Sequence, residues 1–137
     1  MKVTLEKISL EIDQNNCTAK ISISPQAHGN VVIPRVLKYQ SKEYQIIGIN
    51  SDAFKNNVHI EEIVFPKDSL VQTINKFAFS GTNIQTMILP ASLERICEGA
   101  FSDCKMLRKI SFDEGSKLKS ISKDAFAHGS FYVALSR

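Results

Sequence analysis

Few side chains in this sequence are of the kind that performs chemistry, and their spacing argues against a reaction. The candidate nucleophiles and metal ligands are Cys17, Cys97 and Cys104 together with His28, His59 and His128. No CxxC pair occurs and no His stands at zinc-ligand spacing from a Cys, so neither a metal centre nor a Cys–His dyad is expected. The motifs GxSxG, HExxH, GxGxxG and the Walker loop are absent. Glu61 and Glu62 are adjacent, and successive strand residues point to opposite faces, so they are not expected to work as a paired acid and base. An enzyme is therefore not expected, nor is a bound cofactor or metal. An odd number of thiols gives no disulfide framework; each reads as a small apolar side chain, with Cys97 and Cys104 the one pair to test for a bridge. Asn16-Cys17-Thr18 satisfies the N-glycosylation rule in a stretch that reads as a turn.

The bulk composition narrows the class further. With 137 residues, 43% hydrophobic and 23% charged, the chain is long enough for one domain with a buried core and short for two. A net charge of +3 gives no reason to expect a specific nucleic-acid partner. The opening MKVTLEKISLE alternates polar and apolar residues, so neither membrane insertion nor an export signal is read from it, and the compartment stays open. Seven basic against three acidic residues fall in 105–137; a solvated basic face is the simplest reading.

A repeat organises the remainder. Ala-Phe recurs at Ala53-Phe54, Ala78-Phe79, Ala100-Phe101 and Ala125-Phe126, with the phenylalanines 25, 22 and 25 residues apart. An isoleucine stands five residues before each Phe (Ile49, Ile74, Ile96, Ile121), preceded in the last three units by Leu70, Leu93 and Leu118. A strand-like block leads each unit: Ile60-x-x-Ile63-x-Phe65-Pro66, Ile84-x-x-Met87-x-Leu89-Pro90 and Leu107-x-x-Ile110-x-Phe112-Asp113, with Val31-x-Ile33-Pro34 as a shorter first copy. Alternation marks a strand with one buried face, and the proline ends pairing by removing an amide donor. A coil of this length cannot enclose its own apolar face, so neighbouring coils must stack and bury one another's Ile, Leu and Phe. Residues 3–24 instead read as two alternating strands around DQNN, a hairpin suited to covering the first coil.

With Ile63, Phe65, Met87, Leu89, Ile110 and Phe112 inward, the outer face of the sheet carries Glu62 and Val64, Thr86 and Ile88, Lys109 and Ser111. These six form the expected partner-binding surface, with Val64 beside Ile88 as an exposed apolar stripe. Tyr132 and Leu135 fall in the register of a fifth strand, which makes a homodimer through the C-terminal end the alternative reading.

Residues 84–104, IQTMILPASLERICEGAFSDC, resemble the repeat of the BspA-type leucine-rich repeat family, Leu-x-x-Ile-x-Leu-Pro-x-Ser-Leu-x-x-Ile-x-x-x-Ala-Phe-x-x-Cys. Cys104 takes the Cys position, which Asn57, Thr82 and Gly129 fill in the other units. The resemblance covers about 28–129. It implies an α/β solenoid of about four coils, with a parallel sheet on one face, irregular or short helical segments on the other, and an N-terminal β-hairpin cap. Boundaries follow at 1–27 for the cap, 28–129 for the array and 130–137 for a fifth coil or tail. It also implies a protein partner, such as a host or cell-surface component, since members are often surface or secreted proteins connected with adhesion.

Overall fold

The computed structural model describes residues 1–129 and 134–136. The chain begins with β1 (Lys2–Thr4), β2 (Ser9–Asp13) and β3 (Thr18–Ser22), three antiparallel strands that bury Val3, Leu10, Ile12, Ala19 and Ile21 on one side. Then β4 (Gly29–Val32) opens the first coil, and β5 (Val36–Tyr39) folds back antiparallel onto β6 (Lys42–Ile49). Later coils each contribute a longer strand and a two-residue rung: β7 (Ile60–Val64) with β8 (Thr73–Ile74), β9 (Thr86–Leu89) with β10 (Arg95–Ile96), and β11 (Lys109–Phe112) with β12 (Ser120–Ile121). A last strand, β13 (Ala134–Ser136), pairs in parallel with β11.

Two faces of the solenoid are therefore sheet, parallel except for the antiparallel β1-β2-β3 start of the first and β5 against β6. One runs β1-β2-β3-β6-β8-β10-β12; the other consists of two pieces, β4-β7 and β9-β11-β13. This corrects the expectation of an α/β fold with one sheet and short helices opposite. No helix occurs among the described residues, and the segment expected to be irregular or helical carries the rungs Thr73–Ile74, Arg95–Ile96 and Ser120–Ile121, which pair coil to coil. Two residues are too short to show alternation, and the rung forms because its neighbours present the same two residues in register. The inward position three residues before Ile74 is Val71, fully buried, while Leu70 is only half-buried. Leu93 and Leu118 also stand three residues before their rung isoleucines, so the inward position is the same in all three coils and Leu70, four before Ile74, misses it.

The third side is the Ala-Phe corner. Phe54, Phe79, Phe101 and Phe126 stand in one column, with consecutive ring centroids 5.3, 5.4 and 5.3 Å apart and planes within 14° of parallel. The first three are fully buried and the last half-buried. Backbone bonds follow the same column: the amides of Phe54, Phe79 and Phe101 donate to the carbonyls of Ala78, Ala100 and Ala125 on the next coil, at 2.7, 2.8 and 2.7 Å. Each of these alanines is at most 1% exposed, so a larger side chain there would have to displace packed neighbours.

Each of the first three corners needs a left-handed residue two positions before and two positions after its Phe. These are Asp52 and Asn56, Phe77 and Gly81, Gly99 and Asp103, and His128 follows the fourth Phe. Asp, Asn and Gly tolerate that conformation. Phe77 does not, and it is held by neighbours: its ring covers Gly99, where a Cβ would collide with it, and Lys55 Nζ sits 5.3 Å from its centroid. The sequence pattern did not disclose these positions.

Removing Phe79, stacked on both sides, should cost about 3–5 kcal/mol, and removing the half-buried Phe126 clearly less. Urea unfolding of Phe79→Ala and Phe126→Ala measures both; equal losses would show that the column is not a shared core.

Candidate functional site

Residues with chemical potential are kept apart by this architecture. His28, His59 and His128 are exposed, each at a different bend. Among the described residues no group of three His, Cys, Asp or Glu side chains could hold a metal ion. Glu61 and Glu62 are both exposed, which differs from the expectation that adjacent strand residues face opposite ways. The register explains it: Gly29 pairs with Ile60 but Asn30 pairs with Glu62, so Glu61 is the extra residue of a bulge. Asn16 is exposed in the hairpin turn, its amide donating to Asp13 Oδ2 at 2.8 Å, and this bond with the Asn16 backbone amide holds the Asp13 carboxyl below its usual range.

The three cysteines are free. Cys97 opens onto a groove on the outside of the larger sheet, whereas Cys104 is buried at the corner, its thiol donating to the Phe79 carbonyl at 3.0 Å and lying 3.5 Å from Thr82 Oγ1. Asn57, at the equivalent position of an earlier coil, donates from its side chain to the Ala27 carbonyl at 2.8 Å, and Thr82 donates to the Phe79 carbonyl at 2.9 Å. These side chains satisfy buried carbonyls at the bend, which is why the position accepts Asn, Thr or Cys. Burial pushes the Cys104 thiol above its ordinary range.

The surface that remains is the outer side of the β4-β7 and β9-β11-β13 sheets. Glu62, Thr86 and Lys109 are exposed, Val64 and Ser111 are half-buried, and Ile88 is 61% exposed. Pairing sets them in rows: Asn30 beside Glu62 and Val32 beside Val64 in one piece, Thr86 beside Lys109 and Ile88 beside Ser111 in the other. Val32, 55% exposed, extends the apolar row and was not foreseen, because the first copy of the strand block is short. The two pieces lie side by side without pairing between β7 and β9. Along this seam runs a groove of about 360 Å³, walled by Glu62, Val64, Thr86 and Ile88, with Ile63 and Met87 beneath and Lys67 and Asp113 at its end. Thus one face carries an apolar row, a groove, and a flanking polar row that passes from acidic Glu62 to basic Lys109. Tyr132 lies outside the described residues. Leu135 stands in β13 opposite Ile110.

The family model described as the BspA type leucine-rich repeat region (6 copies) matches residues 37–132. The chain belongs to the BspA-type leucine-rich repeat family. Among solved structures it is similar to a leucine-rich repeat protein from Bacteroides capillosus, at 21% identity and a TM-score of 0.81, over 98% of this chain and 97% of that one. It is also similar to the pneumococcal vaccine antigen PcpA, at 22% identity and a TM-score of 0.64, over 94% of this chain and 42% of that one. At such identity these likenesses establish the fold. No curated protein matches the chain. BspA-type repeats thus provide the stacked coils, and the face described above is what this chain displays on them. No helix among the described residues is long and apolar enough to cross a membrane.

A thiol kept neutral by burial stabilises the fold fully below its unfolded value, and that stability is lost as pH rises toward the higher folded value. Stability should therefore fall with rising pH above the ordinary thiol range, about 8.5, and Cys104→Ala should flatten the fall. Urea midpoints across that range test this; an unchanged slope in the variant would assign the loss to another group.

Proposed function

We propose that this chain is a non-enzymatic protein-interaction module that binds a protein partner through the sheet face carrying Glu62, Val64, Thr86, Ile88, Lys109 and Ser111, with Val32 added. The observation that carries the reading is the apolar row on a rigid face. Ile88 and Val32 project more than half their surface into water beside a groove, where desolvation on contact gives a driving force. The flanking polar row, acidic at Glu62 and basic at Lys109, supplies orientation more than affinity. A cell-surface or host component is the partner class we favour; the family resemblance supports this, and one structural neighbour is described as a vaccine antigen. The scattered histidines and cysteines support a non-enzymatic role.

A second reading is assembly of copies end to end. Among the described residues β12 and β13 pair on one side only, and a parallel edge of that kind can receive another strand. Sedimentation separates the two: a concentration-dependent dimer that Leu135→Asp disrupts favours assembly, and a monomer favours an external partner.

Ile88→Asp should leave the thermal midpoint and circular dichroism unchanged and weaken binding to the partner at least about tenfold, equivalent to about 1.4 kcal/mol. Binding is read against a panel of purified extracellular and cell-surface proteins, with Lys105→Glu as a control on exposed charge. Equal binding by wild type and Ile88→Asp, or unfolding of Ile88→Asp, would overturn the reading.

A further inference from the structure

The larger sheet carries a second concavity on its outer side, away from the apolar row. Strand pairing places Lys20 beside Gly48, Gly48 beside Thr73, Thr73 beside Arg95 and Arg95 beside Ser120. Gly48 has no side chain, so the row dips there, and the Lys20 stem lies over the gap, its Cγ 3.6 Å from where a Cβ would stand. The cleft measures about 310 Å³, and its lining includes Lys20 and Arg95 but no carboxylate. Neither cation has an ion pair or a side-chain hydrogen bond among the described residues, although neighbouring charges do: Lys119 reaches Glu94 at 3.4 Å, and the N-terminal ammonium reaches Glu11 at 3.5 Å. The Thr73 hydroxyl and Gln72 amide are likewise unengaged by protein, and Asn75, which donates to the Ile49 carbonyl, keeps its side-chain oxygen turned to no stronger donor than the Cys97 thiol at 4.0 Å.

We propose that this cleft binds an anionic sugar, with its sulfate or carboxylate oxygens taken by Lys20 and Arg95 and its hydroxyls by Gln72, Thr73 and Asn75. Lys20 and Arg95 stand on strands separated by β6 and β8, at two sides of one hollow, so together they suit acidic groups spaced along an oligosaccharide. Glu11 beside Lys20 and nearby Asp13 partly offset the lysine, while Arg95 meets no carboxylate in the lining and its fork suits oxyanion geometry. The lining favours a saccharide over an acidic peptide. β3, β6, β8 and β10 are each paired on both sides, so no free strand edge is offered to a peptide backbone, and the one aliphatic side chain bordering the cleft, Ile47, is half-buried, which leaves little to anchor a peptide side chain. Amide and hydroxyl groups in a row match the alternating donors and acceptors of a sugar. This site is independent of the protein-binding face.

Nuclear magnetic resonance titration of the whole chain at low ionic strength tests the proposal, using a heparin-derived hexasaccharide, a hexamer of galacturonate, neutral maltohexaose and hexaglutamate. The expected result is a saturable shift of the Gly48, Thr73 and Arg95 amides with one or both acidic sugars, fading as salt is raised, and none with maltohexaose. Which acidic sugar binds tighter identifies the oxyanion. Arg95→Gln and Lys20→Gln should each weaken binding about threefold to fivefold, while the double variant Lys105→Gln/Lys123→Gln should leave it unchanged. An equal loss in that double variant would reveal non-specific attraction to a basic surface. Equal shifts with hexaglutamate would point to an acidic peptide, and an absence of shifts at Gly48 and Thr73 would remove the site; any of these three results overturns the proposal.

Discussion

The structure depends on four phenyl rings laid over one another at the Ala-Phe corners. Each coil is too short to have a core of its own, and the ring of one coil is covered by the ring of the next. The amide of each of the first three phenylalanines is bonded to the alanine carbonyl of the following coil, so hydrophobic burial and backbone pairing fix the same separation. Since the spacing of parallel strands is close to that of stacked rings, one pitch satisfies both. The left-handed residues around each Phe let the chain turn sharply enough to keep the ring on the axis of the column.

Both surfaces follow from that fixed pitch. Once the corners are aligned, residues in equivalent positions form rows whether or not a sheet joins them. This explains how β7 and β9 can lie side by side without pairing: the corner bonds from Phe77 and Phe79 to Glu98 and Ala100, and the rung pairing of β8 with β10, already hold those coils together. The bulge at Glu61 lies in β7 itself and breaks its register with β4. What results is a groove within an otherwise regular face. On the larger sheet the pairing is continuous, and there the chain sets Lys20 and Arg95, distant in sequence and with two strands between them, along one cleft.

Much of this was legible from residue types and spacing. The Ala-Phe frames gave the column, and the parity of Ile63, Met87 and Ile110 gave the buried side of the strands, so Glu62, Thr86, Lys109 and Ile88 were placed outward correctly. Where the reading failed, the missing information was long-range. The rungs at Thr73–Ile74 and Arg95–Ile96 have no local signature, because they are strands only by virtue of their neighbours. Glu61 looked like an ordinary strand residue until its partner strand was known. Phe77 in a left-handed conformation contradicts its own preference and is tolerated because Gly99 on the next coil makes room for its ring. The cleft at Gly48 requires the strand order β3-β6-β8-β10, which no sequence period reveals. Val71 and not Leu70 is the inward residue because the distance of three residues from the rung isoleucine, not residue type, decides which side chain faces the core.

Native-state hydrogen exchange at the corners examines the column most directly. If stacked coils share one cooperative core, the amides of Phe54, Phe79 and Phe101 should be among the slowest in the chain, with matching opening free energies that equal global unfolding. Fast exchange at Phe79 while the hairpin amides of β2 and β3 remain protected would contradict the account, since it would show the corners opening independently of the fold they are held to support.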